Sequence, residues 1–77
     1  MHNKFKQLIS YGLSMAIKYE PEKRYKVIKH FLDNKYISKY ELSLAGDVKI
    51  IFPDDETRVF TSKGDLVIKS FKKKKEA

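Results

Sequence analysis

Residues 36–71 are punctuated by three turn signals: AGD at 45–47, PDDET at 53–57 and SKGD at 62–65. Gly, Pro and Asp supply the backbone angles that reverse a chain, so each signal predicts a connection between strands. The segments between them alternate, as in YELSL, or are rich in β-branched residues, as in VKIIF. An antiparallel meander of three or four strands is expected, at about 36–44, 48–52, 57–61 and 66–71.

The turns also predict a register. A three-residue AGD loop sets Leu44 opposite Val48, Leu42 opposite Ile50 and Tyr40 opposite Phe52. A PDDE loop sets Phe52 opposite Thr57 and Ile50 opposite Val59, and a Lys63–Gly64 turn sets Thr61 opposite Leu66 and Val59 opposite Ile68. Side chains alternate across a strand, so Tyr40, Leu42, Leu44, Val48, Ile50, Phe52, Val59, Leu66 and Ile68 share one apolar face. The other face carries Lys39, Glu41, Lys49, Arg58 and Lys69, with Ile51, Phe60, Val67 and Phe71 as a candidate partner interface.

Two helices precede the meander. In residues 3–18, Phe5, Leu8, Ile9, Gly12, Ala16 and Tyr19 recur at helical spacing, and Met15, Leu13 and Ile17 widen the apolar arc. Gly12 and Ala16 leave room there for another backbone. Pro21 stops this helix and suits the first turn of a second, to about Asn34, with Val27, Ile28, Phe31 and Leu32 inward. The expected fold is α+β, two N-terminal helices on the apolar face of the sheet. Residues 1–71 form one domain and 72–77 a disordered basic tail.

Residues 37–46, ISKYELSLAG, also fit a short helix, with Ser38 and Glu41 at capping-box spacing and Gly46 as its stop. On that reading VIKHFLDNKYISKYEL resembles the winged-helix transcription factors, which implies a DNA-binding helix followed by a wing at 48–52 and 58–61. Where that pattern places a recognition helix, this chain runs directly into GDVKIIF, so a strand is the expectation.

Charge is uneven. The net charge is +7, made of +5 in residues 1–35, −1 in 36–71 and +3 in 72–77. A polyanion or an acidic protein is the expected partner. Only Arg24 and Arg58 among 17 basic residues are arginine. Lysine is a point charge rather than the fork that reads base edges, so backbone contact with little sequence specificity follows. The candidate nucleic-acid-binding residues are Lys4, Lys6, Lys23, Arg24, Lys26, Lys29 and the run Lys72, Lys73, Lys74 and Lys75. Tyr11, Tyr25, Tyr36 and Phe71 are the aromatics expected outside the core, where they could stack on bases. The competing expectation is a regulator or inhibitor of phage or mobile-element type, docking through the outer sheet face, with a homodimer possible.

Catalytic apparatus is not legible. The three glycines are isolated, and there is no cysteine. His30 and Asp33 read as a surface helix pair, and PDDET as a turn. Neither an enzyme, nor a cofactor, nor a metal site is expected. The longest uncharged run, residues 7–17, is too short to span a bilayer, so no membrane association and a cytoplasmic location are expected.

Overall fold

The structure, a computed structural model, describes residues 3–71. It is α+β: helix α1 (Asn3–Tyr19), a 3₁₀ turn (Pro21–Lys23), helix α2 (Arg24–Asp33), then strands β1 (Lys39–Leu42), β2 (Val48–Ile51), β3 (Glu56–Phe60) and β4 (Leu66–Phe71). The strands form one antiparallel sheet in chain order, so β1 and β4 are its edges. Residues 39–42 are strand, not helix, and Ser38 N–H donates to the Ile51 carbonyl at 2.7 Å to open the ladder.

All three hairpins use the same loop. The third loop residue donates to the carbonyl before the loop: Gly46 to Ser43 at 3.0 Å, Asp55 to Phe52 at 2.8 Å, Gly64 to Thr61 at 2.9 Å. That third residue has positive φ in each case, 92° at Gly46, 74° at Asp55 and 91° at Gly64. A turn followed by one left-handed residue is the usual three-residue hairpin connection. Gly has no Cβ to clash there, and Asp tolerates the region because its short side chain bonds locally. Asp54 steadies the middle turn by accepting the Glu56 N–H on Oδ1 at 3.2 Å.

This uniform loop corrects the register. Leu42, not Leu44, stands opposite Val48, a two-residue shift that keeps β1 and β2 on the expected faces. The middle loop holds three residues rather than four, because Asp55 takes the place glycine takes in the other two. Phe52 therefore bonds Glu56. Ile50 faces Arg58 and Val48 faces Phe60. A one-residue shift turns a strand over. Glu56, Arg58 and Phe60 go inward, while Thr57 and Val59 go outward. An irregularity beside Val59 and Phe60 then pairs Phe60 with Leu66 but Val59 with Ile68, so Leu66 stays inward and Ile68 moves to the outer face.

The core lies between the helices and the inner sheet face: Ile9, Leu13 and Ile17 of α1, Ile28 and Phe31 of α2, Ile37, and Val48, Ile50, Phe52 and Phe60. The buried stripe of α1 is rotated from the expected one. Lys6 and Ser10 are buried with Ile9, Leu13 and Ile17, whereas Leu8 and Tyr19 are exposed. Gly12 faces α2, and a Cβ there would lie 3.8 Å from the Phe31 ring, an ordinary contact, so the approach of α2 does not require glycine. At the end of α2 the left-handed residue is Lys35 (φ 60°), not Asn34. Lys35 N–H bonds the Leu32 carbonyl and Tyr36 N–H the Phe31 carbonyl, and the Tyr36 and Phe31 rings lie 6.3 Å apart, the closing contact of this cap.

The orientation of β3 is checked by two neighbouring substitutions. Phe60→Ala should cost about 3–5 kcal/mol in urea unfolding, because it empties a fully buried site. Val59→Lys, on the outer face, should cost less than about 1 kcal/mol; the reverse order would place Phe60 outside. Gly64→Ala should also destabilise, by about 2–4 kcal/mol, since its Cβ would sit 2.7 Å from the Ser14 carbonyl at φ 91°.

Candidate nucleic-acid interface

Turning β3 over brings two charged residues, Glu56 and Arg58, beneath α1, and α1 answers with Lys6 and Ser10. All four are buried, at 2–8% exposure. Glu56 Oε1 accepts from Lys6 Nζ at 2.9 Å, and Glu56 Oε2 accepts from Arg58 Nε at 2.6 Å. Arg58 Nη1 donates to Ser10 Oγ at 2.7 Å and to the Lys6 carbonyl at 3.4 Å. Lys6 Nζ also donates to Asp54 at the β2–β3 turn. Beneath this lattice lies the Phe52 ring, with Lys6 Nζ 5.6 Å and Arg58 Cζ 5.4 Å from its centroid. Two cations and two carboxylates make the network neutral. Buried charge is tolerated only when paired and hydrogen-bonded in this way.

The pairing moves the titrations. The hydrogen bond from Lys6 holds Asp54 below the usual carboxylate range. Burial pushes Glu56 up, but hydrogen bonds from Lys6 and Arg58 outweigh it and leave Glu56 low. Burial likewise opposes the charge on Lys6, and its bonds to Asp54 and Glu56 overcome this and raise it.

Lys6 is therefore not a surface phosphate contact: its ammonium is enclosed and shared by two carboxylates. Lys4, Lys23, Lys26 and Lys29 are exposed as expected. Lys23 reaches Glu20 at 3.4 Å and Lys29 reaches Asp33 at 3.1 Å, while Lys26 has no ion pair among the described residues. Arg24 is half-buried, its guanidinium 5.0 Å from the Tyr25 ring centroid. Lys72, Lys73, Lys74 and Lys75 lie outside the described residues. Of the candidate stacking residues, Tyr11 and Tyr25 are exposed. Tyr36 is half-buried against Phe5, centroids 4.9 Å apart and edge-on.

The candidate partner interface changes membership. Phe60 is 1% exposed and belongs to the core, so it cannot serve as an outer anchor. Ile51 is half-buried and Val67 exposed. Phe71 is placed by its backbone, opposite Glu56. Val59 and Ile68, read as core from the sequence, take up outer positions opposite each other. The signal for this was the Asp at position 55, which can hold a left-handed angle and shorten the loop.

Among the described residues no group of three His, Cys, Asp or Glu is placed to hold a metal ion, and no helix is long and apolar enough to cross a membrane. Comparison of the chain with models of protein families, with curated proteins and with solved structures finds no match.

The network predicts a pH profile. Asp54 and Glu56 are depressed in the folded state, so their stabilisation is present above the unfolded carboxylate values of about 4 and is lost as pH falls through the lower folded values. Lys6 is raised, so its share is lost only above about pH 10.5. Urea midpoints should be flat from about pH 6 to 9 and fall below about pH 4. Glu56→Gln should cost about 3–5 kcal/mol at pH 7 and flatten the acid limb. An unchanged limb would remove Glu56 from this account.

Proposed function

We propose that the chain is a small, basic, non-enzymatic binding module that contacts the phosphate backbone of nucleic acid with little sequence specificity. The observation that carries this reading is the fate of the charges. The network cancels within itself, so the whole net charge of +7 stays with the remaining residues, and Lys23, at the start of α2, and Lys26 and Lys29 along it stand exposed while the other side of that helix is anchored in the core. The Lys23–Glu20 and Lys29–Asp33 pairs are solvent-exposed and worth about 0–1 kcal/mol, so both lysines remain free to exchange a carboxylate for a phosphate. Lys4 and the lysine run at 72–75 add charge that strengthens attraction at long range.

A second reading rests on a different observation: both helices pack on the inner face, which leaves the outer face uncovered among the described residues. Val59, Ile51, Val67 and Ile68 give it an apolar strip beside Lys39 and Lys49. A cytoplasmic regulator or inhibitor would dock an acidic partner there, or a second copy of the chain would cover it.

A salt series of oligonucleotide binding tests the first reading. About five phosphate contacts give a log–log slope near −4 on duplex DNA. Replacing Lys23, Lys26 and Lys29 together by glutamine should flatten that slope by about 3 and leave the unfolding midpoint nearly unchanged. Absence of binding at about 50 mM salt would overturn the reading. A concentration-dependent mass abolished by Ile68→Lys would favour the outer face.

A further inference from the structure

Between α1 and the edge strand β4 lies an open groove of about 310 Å³. Ser10 and Arg58 form its buried base, and Gln7, Tyr11, Leu66 and Lys69 its accessible sides. Arg58 and Lys69 stand directly opposite each other in the ladder. Like charges in that position repel across the strands. Among the described residues the single acid bonded to Arg58 is Glu56, which it shares with Lys6, and Lys69 has no ion pair. An anion placed between Arg58 and Lys69 would relieve that repulsion.

The base of the groove is built to meet such an anion. Arg58 is 3% exposed and fixed by bonds through Nε and Nη1 to Glu56, Ser10 and the Lys6 carbonyl, while its Nη2 makes no hydrogen bond to the described residues. Ser10 Oγ accepts from Nη1, which leaves the hydroxyl proton available to donate. On the rim Tyr11 is 64% exposed, an aromatic face beside the cationic pair. Lys4 precedes Gln7 by one turn on the same side of α1, and past Ser70 and Phe71 the sequence enters Lys72–Lys75.

We propose that this groove takes one nucleotide of a single-stranded nucleic acid, its phosphate between Arg58 and Lys69 and its base against Tyr11. The proposal rests on the nucleic-acid reading and adds to it a second contact, distinct from α2 and selective for an unpaired strand, since a base in a duplex cannot stack on Tyr11. An aromatic platform beside a cationic groove is how single strands are held without sequence preference. A carboxylate alone would satisfy the cations, but it would leave Tyr11 and most of the groove unused.

The test uses the full chain with an eight-residue oligo-dT, a duplex of equal length and an octaglutamate peptide, read by amide NMR shifts and by affinity. Oligo-dT should shift the amides of Gln7, Ser10, Tyr11 and Lys69, and Tyr11→Ala and Lys69→Glu should each weaken it by about tenfold or more. Both side chains are exposed, so the variants should keep the wild-type circular dichroism and unfolding midpoint. Lys39→Glu, the same charge change on the opposite edge strand, should weaken oligo-dT by less than about threefold, and Tyr11→Ala should leave duplex binding unchanged. Oligo-dT binding that ignores Tyr11→Ala and Lys69→Glu would overturn the groove and leave the α2 reading standing. No binding of either nucleic acid would overturn both, and octaglutamate shifts at the groove in that case would assign it to an acidic peptide.

Discussion

Glu56 ties the two halves of the molecule together. One carboxylate oxygen holds Lys6 of α1, and the other holds Arg58 of its own strand. Those two bonds set how far α1 can roll on the sheet. With Lys6 and Ser10 turned inward, Ile9, Leu13 and Ile17 follow onto the core, and Leu8, Tyr11 and Tyr19 are carried out to solvent. A buried ion cluster adds little net stability over an apolar core of equal volume, but breaking one partner leaves an uncompensated charge. It therefore acts on the fold as a condition of arrangement: other rolls of the helix strand a charge.

The same condition divides the lysines by role. A lysine beside Asp54 and Glu56 is structural, and Lys6 is one. A lysine on the far side of α2 faces water, and its surface pairs are weak enough to be exchanged. Pairing equal numbers of cations and acids in the network leaves the excess positive charge outside it, where it acts on a partner at the range of a Debye length, about 8–10 Å in ordinary salt. The α1–β4 groove sits between these two worlds, since Arg58 belongs to the network on one side and lines the base of the groove on the other.

The fold class and the placement of both helices were legible in the sequence, because period and punctuation are local properties. YELSL alternates and VKIIF is rich in β-branched residues whatever surrounds them, and Pro21 stops a helix anywhere. The site was legible in part. Exposure of Lys4, Lys23, Lys26 and Lys29 follows from the apolar stripes on the opposite sides of their helices. Lys6 and Phe60 were assigned to the wrong places for one reason, the length of the loop at 53–55. Two glycines marked the left-handed residue in the other hairpins. In the middle one an aspartate does the same work and is indistinguishable, by type, from any turn aspartate.

What the sequence determined by itself is the set of elements, their order, their antiparallel pairing and a cationic excess at both ends of the chain. Each of these depends on residues near one another along the backbone. Which face of β3 is buried, which lysine is lost to the interior, and that Arg58 and Lys69 stand side by side in the lining of a groove were decided only by the tertiary structure. Those outcomes turn on one residue of register and on a carboxylate that must find its cations about fifty residues away, at Lys6, and two residues away, at Arg58. Side-chain alternation converts a single-residue step into a change of face, so no local pattern can settle it before the helix and the sheet meet.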